Sequence, residues 1–189
     1  MAEIVGLLLA AGQGRRFGSD KLLHPLADGT PIAVVSARRL RHACSCCIAV
    51  LRPEQRVLGT LLAAEGLDVV FSAEASSGMG HSLAAGVAAR PDAAGWLVAL
   101  ADMPFIQPDT LHRVAAALAD GAELAAPVFN GQRGHPVGFA ARWRDALLAL
   151  QGDEGARALV GANRLSMRRI ATDDPGVLRD VDRPEDLAS

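Results

Sequence analysis

Apolar positions come in short blocks separated by amphipathic stretches. Ile4–Leu9 is an unbroken apolar run, as a strand buried on both faces requires. Thr30-Pro31 reads as a cap and first helical residue, opening a helix to about Ala43. Cys46–Leu51 is a second strand, about Glu54–Glu65 a second helix closed by Gly66, and Leu67–Phe71 a third strand. The turn Ser76-Ser77-Gly78-Met79-Gly80 leads into a helix through about Ala89. Trp96–Ala101 is an interior strand stopped by Asp102-Met103-Pro104, and Pro108 opens a helix to Ala119. Leu124–Val128 and Val137–Ala140 flank Asn130-Gly131, a tight-turn signal. Two short helices follow, then strands near Met167–Ile170 and Leu178–Val181.

Strands alternating with helices imply βαβ units, a mostly parallel sheet and a three-layer α/β sandwich. No repeat, low-complexity tract or linker interrupts residues 1–189, so one domain is expected. In open α/β sheets ligands bind beyond the carboxyl ends of the strands. Three such loops carry unusual residues: those after Leu9, Phe71 and Ala101.

Composition narrows the function. Half the residues are hydrophobic, mostly Ala, Leu and Val, and Tyr is absent. A net charge of −2 gives no basic excess for nucleic acid or an anionic membrane, so neither is expected as a partner. Cys44, Cys46 and Cys47 fit neither a CxxC redox pair nor a standard zinc set, and read as small hydrophobes at a helix end and strand start. Unpaired thiols suit a reducing compartment. The opening apolar stretch is short and carries Glu3 where a signal peptide wants basic charge; a cytoplasmic location is expected.

The first strand runs into Ala10-Ala11-Gly12-Gln13-Gly14-Arg15-Arg16-Phe17-Gly18-Ser19-Asp20-Lys21. Glycines let backbone N–H groups approach a polyphosphate, and the arginines and lysine supply countercharge. The spacing is neither a dinucleotide-binding G-x-G-x-x-G, since three residues separate Gly14 from Gly18, nor a P-loop, since Gly18 is not followed by Lys. Asp102, ending a buried strand, suits a Mg²⁺ ligand beside phosphates, or a turn cap.

Leu9-Ala10-Ala11-Gly12 through Arg16-Phe17-Gly18 and Lys21 resembles the signature L-A-[AG]-G-x-x-x-R-[MF]-G-x-x-K of the MobA-like nucleotidyltransferases. Five further segments resemble family motifs in order: Ser77-Gly78-Met79-Gly80-His81-Ser82-Leu83, Asp102-Met103-Pro104, Arg133-Gly134-His135-Pro136, Gly152–Arg157 and Asp180–Leu187. The resemblance spans nearly the whole chain. It implies a Rossmann-like sheet of the nucleotide-diphospho-sugar transferase type.

It also implies roles. Arg16, Lys21 and Asp102 would be catalytic, with Mg²⁺ on Asp102 and Asp182. Leu9, Ala10, Ala11, Gly12, Gly14, Arg15, Ser77, Gly78, Met79 and Ser82 would hold the nucleotide, and His135 and Asp153 the acceptor. From residue chemistry alone His135 could simply start a strand, Asp153 could cap the next helix, and Asp182 could cap a helix at Pro184. Asp20 and Arg183 depart from the family's usual Pro and Thr.

The Ala-Ala form of the loop, with the R-G-H-P and G-D-x-G-A-R segments, looks most like the molybdenum cofactor cytidylyltransferase branch. That implies transfer of CMP from CTP to molybdopterin cofactor, with pyrophosphate released and the product passed to a molybdoenzyme. The guanylyl branch tends to carry Gly-Gly. A sugar- or alditol-phosphate nucleotidyltransferase on this fold, or a non-catalytic nucleotide-binding accessory protein, are the alternatives.

Overall fold

A computed structural model describes residues 3–12, 17 and 20–187. Its centre is an eight-stranded sheet. The strands are β1 (Ile4–Leu9), β2 (Cys46–Leu51), β3 (Asp68–Phe71), β4 (Gly95–Leu100), β5 (Leu124–Phe129), β6 (Gln132–Arg133), β7 (Val137–Ala140) and β8 (Arg168–Ala171). The order is β3-β2-β1-β4-β7-β5-β6, with β8 pairing β5. β3, β2, β1 and β4 run parallel, so their carboxyl ends share one edge. β7 lies antiparallel between β4 and β5.

The helices are α1 (Ile32–Ala43), α2 (Arg56–Ala64), α3 (Met79–Ala89), α4 (Pro108–Ala119), α5 (Arg144–Leu148) and α6 (Arg157–Ala162). They cover both faces. One core joins Leu8, Ala49, Leu97 and Ala99 of the sheet to Leu40 of α1, Leu58 of α2 and Val114 of α4. The other joins Val5, Leu7, Leu9, Val50 and Trp96 to Leu83 and Val87 of α3, Leu147 of α5 and Val160 of α6. In β1, Val5, Leu7 and Leu9 face one core and Leu8 the other, because successive side chains alternate. An unbroken apolar run is therefore what this strand needs. The three-layer α/β expectation holds.

Three local expectations are corrected. The cap of α1 is Pro31, not Thr30; Pro31 pairs with Pro25 in an isolated bridge, which leaves it extended at the helix entrance. The turn at Asn130-Gly131, where both residues have positive φ (47° and 80°), joins β5 first to the two-residue β6, and β7 continues the return after a break at 134–136. Leu178–Val181 forms no strand: Pro175–Leu178 is a 3₁₀ turn followed by a non-ladder segment. Val177 and Val181 are apolar because both are fully buried, packing under the loop after β4 rather than joining the sheet.

Candidate active site

The carboxyl ends of β1 and β4 are neighbours, and the ladder continues one residue beyond them: Ala101 N–H donates to the Leu9 carbonyl at 3.1 Å. α1 braces the loop that follows. Ser36 Oγ donates to the Ala101 carbonyl at 3.0 Å, and Arg39 Nη1 to the Ile106 carbonyl at 2.7 Å. Asp102 thus leaves a rigid strand end with its backbone held on both sides.

Lys21 opens a 3₁₀ turn over Lys21–Leu23, anchored by Leu22 in the first core. The residue is only 8% exposed. Its Nζ donates to Asp102 Oδ2 at 2.9 Å and to Asp182 Oδ1 at 3.2 Å. Burial alone would lower the pKa of this ammonium, but the charges and hydrogen bonds of Asp102 and Asp182 together outweigh it and hold it above the ordinary lysine value.

Asp182 reaches Lys21 because the C-terminal segment is pinned. Val181 N–H donates to the Asp102 carbonyl at 2.9 Å, and the Val181 side chain packs with Phe17 and Ile32. Beside Pro184, Asp186 Oδ2 accepts from the N–H groups of Asp182 and Arg183, both at 2.8 Å, and ties the segment back on itself. Asp180 joins the same cluster: oxygens of Asp102, Asp180 and Asp182 all lie within 4.8 Å of one another. Burial, then the charges of Asp182 and Asp102, push the Asp180 carboxyl above its usual pKa. Three oxygen donors around one cationic position suit a hard divalent ion.

Beside this cluster opens a cleft of about 460 Å³. Leu9, Ala11, Gly12, Lys21, Ser77, Gly78, Met79, Ser82, Asp102 and Asp153 all line it. Gly78 enters α3 at a φ of 134°, where its backbone lies against Gly152 and Asp153. Gly80 N–H donates to the Gly152 carbonyl at 2.8 Å, so the loop bearing Asp153 is docked on the start of α3. Asp153 does not cap α6, whose cap is Ala156.

Not every residue singled out from the sequence reaches the cleft. Ala10 is buried, and its carbonyl accepts from Gln55 Nε2 at 3.0 Å. His135 is absent from the lining: its N–H donates to the Val177 carbonyl at 2.9 Å, and its Nδ1 is buried without a partner. Gly14, Arg15 and Arg16 lie outside the described residues. The three cysteines are free, and burial pushes the thiols of Cys44 and Cys47 up to about 12.

Two features escaped the sequence reading. Asp180 was readable as part of a D-x-D segment, since residues two apart in an extended chain share a side. Lys21 is also the only lysine in the chain.

The profile of the MobA-like NTP transferase domain matches residues 6–168. The chain belongs to this family. Its relatives include the purine catabolism protein PucB of Bacillus subtilis, 32% identical over 97% of this chain and 93% of that protein. Another is a molybdenum cofactor guanylyltransferase of Cupriavidus pinatubonensis, 31% identical over 98% of this chain and 94% of that one. Among solved structures, Rv0371c of Mycobacterium tuberculosis is similar with a TM-score of 0.86 and 30% identity, covering 99% of this chain and 96% of that chain. A second structure of Rv0371c is a manganese complex, with a TM-score of 0.83 and 29% identity, covering 98% of this chain and 96% of that chain. The family, the sheet and the cleft make this MobA-like protein a nucleotidyltransferase of the nucleotide-diphospho-sugar transferase fold. No helix of its described residues is long and apolar enough to cross a membrane.

Proposed function

We propose that this protein transfers CMP from CTP to the phosphate of molybdopterin cofactor, releasing pyrophosphate in the cytoplasm. The observation that carries the reading is Lys21 held between Asp102 and Asp182 at the wall of a cleft whose other walls are the Gly12 loop and Ser77-Gly78-Met79.

In this reading the triphosphate lies along the Gly12 loop, with Lys21 and Arg16 as countercharge. Ser77, Gly78, Met79 and Ser82 flank the nucleoside, and Asp153 stands on the acceptor side. A divalent cation bound by Asp102 and Asp182, Mg²⁺ in this reading, would neutralise charge on the phosphates. An acceptor phosphate is already ionised at neutral pH, so the chain need supply no strong base. An oxygen of that phosphate attacks the α-phosphorus, a P–O bond forms as the bond to pyrophosphate breaks, and pyrophosphate leaves. Positioning and charge stabilisation by the site's own groups supply the acceleration.

Ala11 supports the choice of base. Of the two alanines in the loop it is the one that lines the cleft, so its methyl group narrows the site. Such a difference shifts selectivity by about 1–3 kcal/mol. The likeness to a molybdenum cofactor guanylyltransferase favours GTP as the second reading.

The test is pyrophosphate release from CTP, GTP, ATP and UTP with Mg²⁺, with and without molybdopterin cofactor. Release with CTP and the pterin alone supports the proposal. Release with another pair reassigns the substrate. No release alongside measurable nucleotide binding refutes turnover on this acceptor and favours an accessory role.

A further inference from the structure

We infer that Lys21 is a built-in occupant of the divalent-cation position: its ammonium holds the carboxylates of Asp102 and Asp182 together when no metal is bound, and an arriving metal displaces it. The inference rests on the metal placement of the proposed function and adds an exchange step to it.

The geometry leaves little room for both cations between the two carboxylates. Nζ bonds one oxygen of Asp102 and one of Asp182, at 2.9 and 3.2 Å. A divalent ion held by these two carboxylates would compete for the oxygens that Nζ bonds. An ammonium beside a divalent ion in this partly buried pocket would meet strong like-charge repulsion. Lysine suits the part because its charge is compact and its stem rotates, whereas a planar guanidinium would fork across the carboxylates.

The arrangement also explains why an acidic cluster is tolerated when metal is absent. Asp102, Asp180 and Asp182 have oxygens within 4.8 Å of one another, and without a cation they would repel. Lys21 places a positive charge against two of them. Once evicted, the same ammonium is released toward the cleft it already lines, where the proposed function puts the triphosphate. Metal and nucleotide then reinforce each other, since each frees or receives what the other displaces.

Because Lys21 is the only lysine, its amine can be followed without interference from any other side-chain amine. The experiment is trace acetylation of the full chain with acetic anhydride, with and without Mg²⁺ and without nucleotide, read at Lys21 by mass spectrometry. Beside it, Mn²⁺ affinity is measured from the free-ion electron paramagnetic resonance signal for the wild type, Lys21→Met and Asp102→Asn. The expected result is a several-fold faster acetylation of Lys21 with Mg²⁺, and Mn²⁺ binding about ten-fold tighter in Lys21→Met, as removal of a competing charge-assisted contact implies. If Asp102→Asn abolishes Mn²⁺ binding while Mg²⁺ leaves Lys21 acetylation unchanged, exchange is overturned and the metal placement stands. If Asp102→Asn binds Mn²⁺ as the wild type does, the metal placement fails, and the exchange with it.

Discussion

The backbone N–H of Val181 donates to the carbonyl of Asp102 across 2.9 Å, joining two segments that stand far apart in the chain. This one bond brings the end of β4 and the C-terminal segment into a single site. Val181 is fully buried, so packing and hydrogen bonding fix the same residue, and Asp180 and Asp182 on either side of it are left facing the strand end. The acidic cluster is therefore a product of backbone registration. It depends on residues that never touch a ligand.

Removing the cation from this cluster should be felt mainly in the chemical step. Lys21→Ala is expected to lower kcat by roughly 10²–10³, in line with losing one preorganised electrostatic contact, with a smaller rise in KM for the nucleotide. Lys21→Arg should restore little, because a fork does not replace a point charge. Steady-state pyrophosphate release checks both, and wild-type turnover in Lys21→Ala would remove Lys21 from the reaction.

Asp174 should matter as much to the site's assembly as its ligands do. It is 3% exposed and accepts from Gln107 N–H at 2.7 Å, Thr110 Oγ1 at 2.9 Å and Gly176 N–H at 2.9 Å. It thereby staples the start of α4 to the segment that leads on to Asp182. Asp174→Ala removes the acceptor of three donors, two of them buried, and should destabilise the fold by about 2–4 kcal/mol. Mn²⁺ affinity should also fall, although Asp174 lies outside the acidic cluster. Chemical denaturation and Mn²⁺ titration report the two effects separately, and an unchanged Mn²⁺ affinity would limit Asp174 to stability.

The fold and one half of the site were legible in the sequence for a physical reason. A strand buried on both faces must be apolar throughout, and Ile4–Leu9, Cys46–Leu51 and Trp96–Ala101 all announce themselves that way. The loops that follow them carry charge that nothing in a core would explain. The other half was hidden because its geometry is tertiary. Leu178–Val181 looks like a strand, since burial selects the same side chains, Val181 here, in a packed irregular segment as in a ladder. The bonds by which Ser36, Arg39 and Asp174 brace the site have no local signature, because each spans 64 to 67 residues; all that Asp174 shows locally is its cap on Gly176 N–H. Thr30 ahead of proline satisfied a cap pattern, while the Pro25–Pro31 bridge decided the helix entrance.

Gly78 should tolerate no side chain. A Cβ there would lie 2.4 Å from the Gly152 carbonyl group and 2.7 Å from Asp153 Oδ1, and its φ of 134° is already strained for any L-residue. Gly78→Ala is expected to cost about 1–3 kcal/mol of stability and to push the Asp153 loop off the start of α3. If the cleft is the nucleotide site, KM for the triphosphate should rise more than kcat falls. Thermal melts and initial-rate kinetics test the pair, and an unaltered melt would show that the loop yields at no cost.

His135 gives the fold an acid-sensitive element. Burial, followed by the nearby positive charge of Arg133, lowers its pKa from 6.5 to about 4. In the unfolded chain it returns to about 6.5. Above pH 6.5 the imidazole is neutral in both states and stability is undiminished. As pH falls from 6.5 towards 4 the unfolded chain takes up a proton that the folded chain refuses, so stability drops by up to about 1.4 kcal/mol per pH unit, at most about 3–4 kcal/mol in all. Below pH 4 this residue adds no further loss. Carboxylates with lowered pKa, such as Glu65 and Glu74, contribute only below about 4.5, and Asp180, whose pKa is raised, acts with the opposite sign as pH falls, so a loss of stability between 6.5 and 4.5 points to His135. His135→Gln should flatten the fall in urea midpoint between pH 7.5 and 5. A variant that loses stability over that interval as steeply as the wild type would show that the proton goes elsewhere.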